Sequence, residues 1–270
     1  MKSAAEKLDQ LKELLESYSG AVIAFSGGVD STFLAWVAHG VLAERAMAVT
    51  ASSEIYGQDE IKNAGHLAKQ IGISHMIILT DELANGKFTA NPPQRCYFCK
   101  KELFTSLLQI GEKYGLPQVL DGTNFDDRLD HRPGMQAAKE LGIKSPLLEV
   151  ELTKEDIRTL SREMGIPTWN KPALPCLASR FPYGERITRE KLSMVKNAED
   201  FLRAMGVDIL RVRHHGNLAR IEVNSADFHL IIASAGQIAN KLKEIGYSYI
   251  TLDLQGFRSG SMNEPLDNVR

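Results

Sequence analysis

The chain has few cysteines, no long apolar run and almost no net charge, and each lack excludes something. Cys96, Cys99 and Cys176 are the only thiols among 270 residues. That number is too small and too odd for a disulfide framework, and it points to a reducing compartment, the cytoplasm. No apolar stretch approaches the roughly 20 residues that cross a bilayer. The opening segment MKSAAEKLDQLKELLESY carries charges throughout, unlike a signal peptide. A formal net charge of −2 leaves no bulk basic field to hold duplex nucleic acid or an acidic membrane. What is there is ordinary for a globular protein: 43% hydrophobic and 24% charged residues, which excludes disorder as the main state. A chain this long is expected to form one domain plus a smaller one.

Periodicity gives an alternating order. Leu8, Leu11, Leu14 and Leu15 share a helical stripe, which predicts a helix over 4–18. Short apolar runs at 21–25, 46–51, 75–80 and 117–122 read as strands, and SPLLEV (145–150) as a fifth. Helical spacing fills the gaps at 32–43, 57–72, 99–115 and 134–142, and a Thr-capped helix follows over 152–165. Strands alternating with helices predict an α/β fold with a doubly wound parallel sheet over 1–168, whose ligands sit beyond the strands' carboxyl ends. Residues 169–187 read as a proline-rich interdomain loop carrying Cys176. From 188 to 270 the order changes: a helix, the strands DILRVRHH and ARIEVN, further helix and the strand YSYITLDL. That order predicts a smaller C-terminal α+β domain.

Ser26-Gly27-Gly28-Val29-Asp30-Ser31 lies between the first strand and its helix. Two glycines let backbone N–H groups converge on an anion, and the helix start adds partial positive charge. Ser26 and Ser31 add hydroxyls. Asp30 has two readings, as a helix cap or as a holder of magnesium shared with phosphates. The plain alternative is a tight strand–helix turn. The loop is no Walker A, since it lacks the terminal lysine, and no dinucleotide fingerprint. The hexapeptide resembles the PP-loop of ATP pyrophosphatases. That resemblance implies adenylylation of a carboxyl or carbonyl oxygen, with pyrophosphate released, followed by attack of nitrogen or sulfur.

A second polar loop, Asp121-Gly122-Thr123-Asn124-Phe125-Asp126-Asp127, follows the fourth strand. Its acids suit magnesium or nucleotide, and equally a plain Asx-rich turn. Arg132 lies shortly after, where it would reach a phosphate or pair with Asp126, Asp127 or Asp130. Cys96 and Cys99 form a CxxC unit opening a helix, flanked by Arg95 and Lys100, a setting that favours thiolate. A redox dithiol, half a zinc site completed by His131 or an acid, and part of an iron–sulfur cluster all remain open. Arg211 and Arg213 alternate onto one face of a strand, some 7 Å apart, where they suit a phosphate or carboxylates. Glu222 and Glu199 would orient such arginines. The alternative is a solvated, salt-bridged sheet face.

SGGVDS, NPPQRCYFCKKELF, DGTNFDD, RPG, PCLASRFPYG, RVRHHG, ARIEV and LDLQGFRSGSMN together resemble the LarE family over almost the whole chain. That resemblance implies an ATP-dependent sulfur transferase of nickel-pincer cofactor biosynthesis. Its small-molecule substrate would be the nicotinate-derived pyridinium-3,5-biscarboxylic acid mononucleotide. Each carboxylate would be adenylylated and then converted to a thiocarboxylate. ATP and Mg2+ are then expected at Ser26, Gly27, Gly28, Asp30, Ser31, Gly122, Thr123, Asn124 and Asp126, and the substrate at Arg180, Arg211, Arg213, Glu199 and Glu222. The family divides by sulfur source. Members with three cysteines are similar to enzymes in which a [4Fe-4S] cluster, here on Cys96, Cys99 and Cys176, carries a sulfide. Members with one cysteine sacrifice it to dehydroalanine, here Cys176. The resemblance also implies a trimer-based homo-oligomer, a hexamer. It gives neither the sulfide donor nor the enzyme that uses the nickel cofactor. A tRNA thiolase and a non-catalytic, iron-sensing nucleotide-binding module are the competing functions, and pyrophosphate release separates the last from both enzymes.

Overall fold

Ser3 and Glu6 cap each other's backbone at the start of the first helix (α1, Ala4–Glu16), which buries Leu11 and Leu15. In a computed structural model, residues 2–129, 133–172, 175–258, 260–262 and 264 are described. After α1 come β1 (Ala21–Ala24), α2 (Val29–Leu42), β2 (Ala46–Ser52), α3 (Gln58–Ile71) and β3 (Ser74–Leu79). Then follow α4 (Gly86–Thr89), α5 (Arg95–Tyr114), β4 (Gln118–Leu120), α6 (Pro133–Glu140), α7 (Pro146–Glu149) and α8 (Lys154–Glu163). The last elements are α9 (Arg189–Ala204), β5 (Leu210–His215), β6 (Leu218–Val223), α10 (Phe228–Ala233), α11 (Ala235–Ile245) and β7 (Tyr249–Leu252). Contacts divide the chain into two units, Met1–Glu82 with Pro93–Leu174, and Leu83–Pro92 with Pro175–Arg270. Among the described residues no helix is long and apolar enough to cross a membrane.

The first unit is built on a parallel sheet of order β3-β2-β1-β4. β1 and most of β2 are buried on both faces, as the middle of a parallel sheet covered by helices requires, whereas the edge strand β3 leaves Ile77 and Leu79 exposed. Alternation along β1 sends Ala21 and Ile23 into one core with Leu11 and Leu15 of α1, Phe33 and Leu34 of α2, and Ile157 and Leu160 of α8. Val22 points into the opposite core, with Phe104 and Leu107 of α5 and Val119 of β4.

The expected fifth strand is absent from this sheet. Lys144 makes a single parallel bridge to Leu120, and residues 146–149 then turn into α7. Pro146 takes the first helical position, where its missing N–H is not needed and its φ suits a helix. Leu147 is buried in the core with α1 and α2.

In the second unit β5 pairs antiparallel with β6, and β6 pairs parallel with β7. Ala198 and Leu202 of α9 and Ile238 and Leu242 of α11 close a core on Leu210, Val212 and Ile221. The short segment around α4 is stitched to the loop before α9. Gly184 N–H donates to Asn91 O at 2.8 Å, Ile187 N–H to Thr89 O at 2.9 Å, and Asn91 Nδ2 to Pro182 O at 2.7 Å.

Candidate functional site

Beyond the carboxyl end of β1 the chain curls through Ser26–Gly28 into α2. Gly27 has φ +68°, a region in which a side chain would be strained, and a Cβ there would lie 3.2 Å from Ala64 Cα of α3. The two hydroxyls knit the loop: Ser26 and Ser31 Oγ are 3.0 Å apart, and Gly28 N–H donates to Ser26 Oγ at 3.3 Å. The expected Asp30 cap does not form. Gly28 is the N-cap residue, and Asp30 sits in the first turn of α2, where its side chain serves a different contact. Lys154 Nζ donates to Asp30 Oδ2 at 2.5 Å, while Asp30 Oδ1 is buried with no hydrogen-bond partner.

The second loop closes on the head of α2. A Cβ on Gly122 would lie 3.0 Å from Ser31 N, so only glycine allows this approach. Asp121, buried beside it, accepts from Thr123 N–H at 3.2 Å, from Thr123 Oγ1 at 2.8 Å and from Ser145 Oγ at 2.7 Å. Asn124 Oδ1 accepts from Asp126 N–H, and Asp127 Oδ2 from Asn124 N–H, each at 3.0 Å. This is an Asx turn. Asp126 Oδ2 accepts Lys154 N–H at 2.8 Å, so Lys154 touches both Asp30 and Asp126. Asp130, His131 and Arg132 lie outside the described residues.

Cys96 and Cys99 fall in the first turns of α5, Cys96 exposed and Cys99 half-buried, with Tyr56 Oη 3.9 Å from Cys99 Sγ. Among the described residues no group of three His, Cys, Asp or Glu side chains is arranged to hold a metal ion.

Within the second unit, Cys176 is half-buried and starts a short turn over Leu177–Arg180. Arg180 fixes that turn, since its Nη1 donates to Pro175 O at 2.6 Å and Cys176 O at 3.1 Å. The other edge of the same guanidinium grips Glu199 at 2.8 and 2.9 Å. Glu199, fully buried, also accepts from Arg203 at 2.8 Å and Val212 N–H at 3.1 Å. Burial alone would raise its carboxyl pKa, but Arg180 and Arg203 outweigh it and hold Glu199 below its ordinary range.

Arg213 takes Glu222 Oε2 through Nε and Nη2 at 2.9 and 2.8 Å and reaches Ser179 O at 3.1 Å. Arg211 donates to Leu210 O at 2.7 Å and lies 5.1 Å from the Phe257 ring centroid. Burial, then the charge of Arg180, pushes its pKa down to about 10. The adjacent His214 and His215 part as expected of neighbours on a strand: His214 is buried, with its Nδ1 3.2 Å from Tyr247 Oη.

Residues 4–92 match the family model described as NAD synthase. An uncharacterized protein of Synechocystis is 46% identical over 262 residues, covering 96% of this chain and 98% of its own. A GMP synthase of Aeropyrum pernix is 26% identical over 219 residues, 72% of this chain and 42% of that enzyme. The pyridinium-3,5-bisthiocarboxylic acid mononucleotide synthase of Lactiplantibacillus plantarum, a LarE enzyme, is 37% identical over 271 residues, covering all of this chain and 98% of its own. The chain belongs to the LarE family. It is accordingly an ATP-dependent sulfurtransferase.

For this LarE-family chain, the structure gathers Ser26, Gly27, Gly28, Asp30, Ser31, Gly122, Thr123, Asn124 and Asp126 around the head of α2. It pairs Arg180 with Glu199 and Arg213 with Glu222. Sequence reasoning missed Lys154 and Lys171, both at the phosphate loop. Lys171 Nζ donates to Gly27 O at 2.9 Å. Neither lysine stands at a recognisable spacing from the loop, and no local signal marks them.

Proposed function

We propose that this chain adenylylates the carboxylates of pyridinium-3,5-biscarboxylic acid mononucleotide and replaces an oxygen of each by sulfur. A carboxylate oxygen attacks the α-phosphorus of ATP and pyrophosphate leaves. Sulfide then adds to the acyl carbon and AMP departs with its oxygen, leaving a thiocarboxylate. The phosphate loop at the head of α2 carries this reading: a glycine turn with two hydroxyls and a helix N-terminus is built for a polyphosphate. The full-length relation to a synthase of that name supports the substrate. Arg211 and Arg213 suit its phosphate and carboxylates.

The unpartnered Asp30 Oδ1 suits Mg2+, which would neutralise phosphate charge when bound. Cys96, Cys99 and Cys176 are the proposed ligands of an iron–sulfur cluster by their chemistry, since thiolate sulfur is the ligand such clusters take. Cys96 and Cys99 are one turn apart on α5, and Cys176 sits on a braced turn. When bound, the cluster would supply the sulfide. Arg180 would hold the Cys176 backbone for it through the two carbonyl contacts.

Anaerobically reconstituted protein, given ATP, sulfide and the biscarboxylate, tests the reading by pyrophosphate release and product mass. Expected are two oxygen-to-sulfur exchanges per molecule, iron in the protein, and loss of both iron and sulfur transfer in each of Cys96→Ala, Cys99→Ala and Cys176→Ala, with pyrophosphate release retained. An iron-free protein that transfers sulfur, loses activity only in Cys176→Ala and is lighter by hydrogen sulfide after turnover would replace the cluster by sacrifice of Cys176. Absence of pyrophosphate release would end the reading altogether.

A further inference from the structure

We propose that Lys171 is the phosphate-binding lysine that the loop itself lacks, gripping the β- and γ-phosphates of ATP and the pyrophosphate that leaves. Its place in the fold is fixed. Arg158 of α8 donates from Nη1 to Trp169 O at 2.9 Å and from Nη2 to Lys171 O at 3.1 Å. Lys171 N–H closes a turn on Thr168 O at 3.0 Å. So braced, the side chain delivers its ammonium to Gly27 O of the phosphate loop.

The two lysines at the loop are in different electrostatic states. Lys154 is paired with the Asp30 carboxylate, and its charge is spent there. Lys171 instead donates to a neutral carbonyl, which cancels no charge and uses one of three N–H donors. Burial pushes its ammonium below its ordinary range, and the more weakly acting Glu60 charge only partly opposes this. A half-buried cation resting on the rim of an anion loop is poised for an anion.

There is room for one. A cavity of about 350 Å³ opens beside Lys171, lined also by Asn63, His66, Gln70, Thr168 and Asn170. Thr168, 4% exposed, has its Oγ1 buried with no hydrogen-bond partner. Leu67, on the same cavity wall, would lie 3.4 Å from a Cβ on Gly27, so the cavity adjoins the phosphate loop. As the α-phosphorus gains its bond to the carboxylate oxygen, the bond to the bridging oxygen breaks and the electron pair stays on pyrophosphate. Lys171 would neutralise that growing charge without giving up a proton.

This inference rests on the reading of the loop as an ATP site, and three ligands separate the two. Calorimetry on the full-length protein would measure inorganic pyrophosphate, a non-hydrolysable ATP analogue and AMP, with Lys171→Met and Lys171→Gln against wild type. The glutamine amide keeps a donor for Gly27 O and drops the charge. Both variants are expected to bind pyrophosphate and the ATP analogue about 10- to 100-fold more weakly, the value of one charge-assisted contact. Their AMP affinity is expected to match wild type. Wild-type affinity for pyrophosphate in Lys171→Gln, or an equal loss for AMP and the ATP analogue in either variant, would overturn the assignment and leave Lys171 a loop brace. A wild-type protein that bound no ATP analogue would overturn the ATP site and the assignment together.

Discussion

At the scale of single residues, exposure decides which changes are read in activity and which in stability. The Asp30–Lys154 pair is partly exposed, its side chains 22% and 35% accessible, so breaking it is worth only about 0–1 kcal/mol. Asp30→Ala is therefore expected to stay folded and lose adenylylation, checked by pyrophosphate release beside a thermal melt. Unchanged release would remove Asp30 from the site. Glu199 is the opposite case. Glu199→Gln leaves Arg180 buried without its counter-ion, and an unfolding titration is expected to show a loss of about 3–5 kcal/mol. The pH dependence follows from the sign of the shift. A carboxyl held below its ordinary range in the fold adds stability that is complete above its unfolded value, about 4.3, and is lost as pH falls through the folded value. Wild type should lose stability steeply below about pH 4.3, and Glu199→Gln should show a shallower acid limb. Equal acid limbs would place the acid sensitivity elsewhere.

At the scale of elements, the loops at the head of α2 are fitted to one another by backbone approach. Gly122→Ala puts a methyl group against Ser31 N, so the second loop or the start of α2 must move. The expected result is a loss of about 1–3 kcal/mol, typical of overpacking, with ATP affinity reduced while binding of the mononucleotide alone is kept. Calorimetry with each ligand checks it, and intact ATP affinity would show that the two loops do not share the nucleotide. The phosphate loop was legible in the sequence because its parts are consecutive: a strand, six residues and a helix. Lys154 and Lys171 were not, because they reach the loop across 124 and 144 residues through side chains that no periodicity constrains. SPLLEV was misread for another reason. Its apolar core is too short for periodicity to separate strand from helix, and Pro146 at the first helical position was the better guide. Glu222 and Glu199 were both legible as holders of Arg211 and Arg213; Glu222 does grip Arg213 from the neighbouring strand, but Glu199 grips Arg180, which depends on how α9 packs on β5.

At the scale of the molecule, the second unit is not one stretch of chain. It needs Leu83–Pro92 as well as the residues from Pro175 onward. A fragment beginning at Pro175 leaves Gly184 and Ile187 N–H groups without their acceptors and the buried Phe88 missing. It is expected to melt broadly or at a lower temperature, and a peptide of residues 83–92 added in trans is expected to raise the midpoint. A fragment that melts cooperatively and ignores the peptide would make the stitch dispensable. The same feature imposes an order in time on the ribosome. Asn91 emerges well before Pro182, its acceptor 91 residues on, and at roughly 5–20 residues per second the gap is about 5–18 s. Throughout that interval the nascent chain carries the Asn91 amide and the Thr89 and Asn91 carbonyls with their native partners still unmade, while the segment that completes the parallel sheet is being synthesised. Slowing translation after residue 92 lengthens the time for which these backbone and amide groups are left to water.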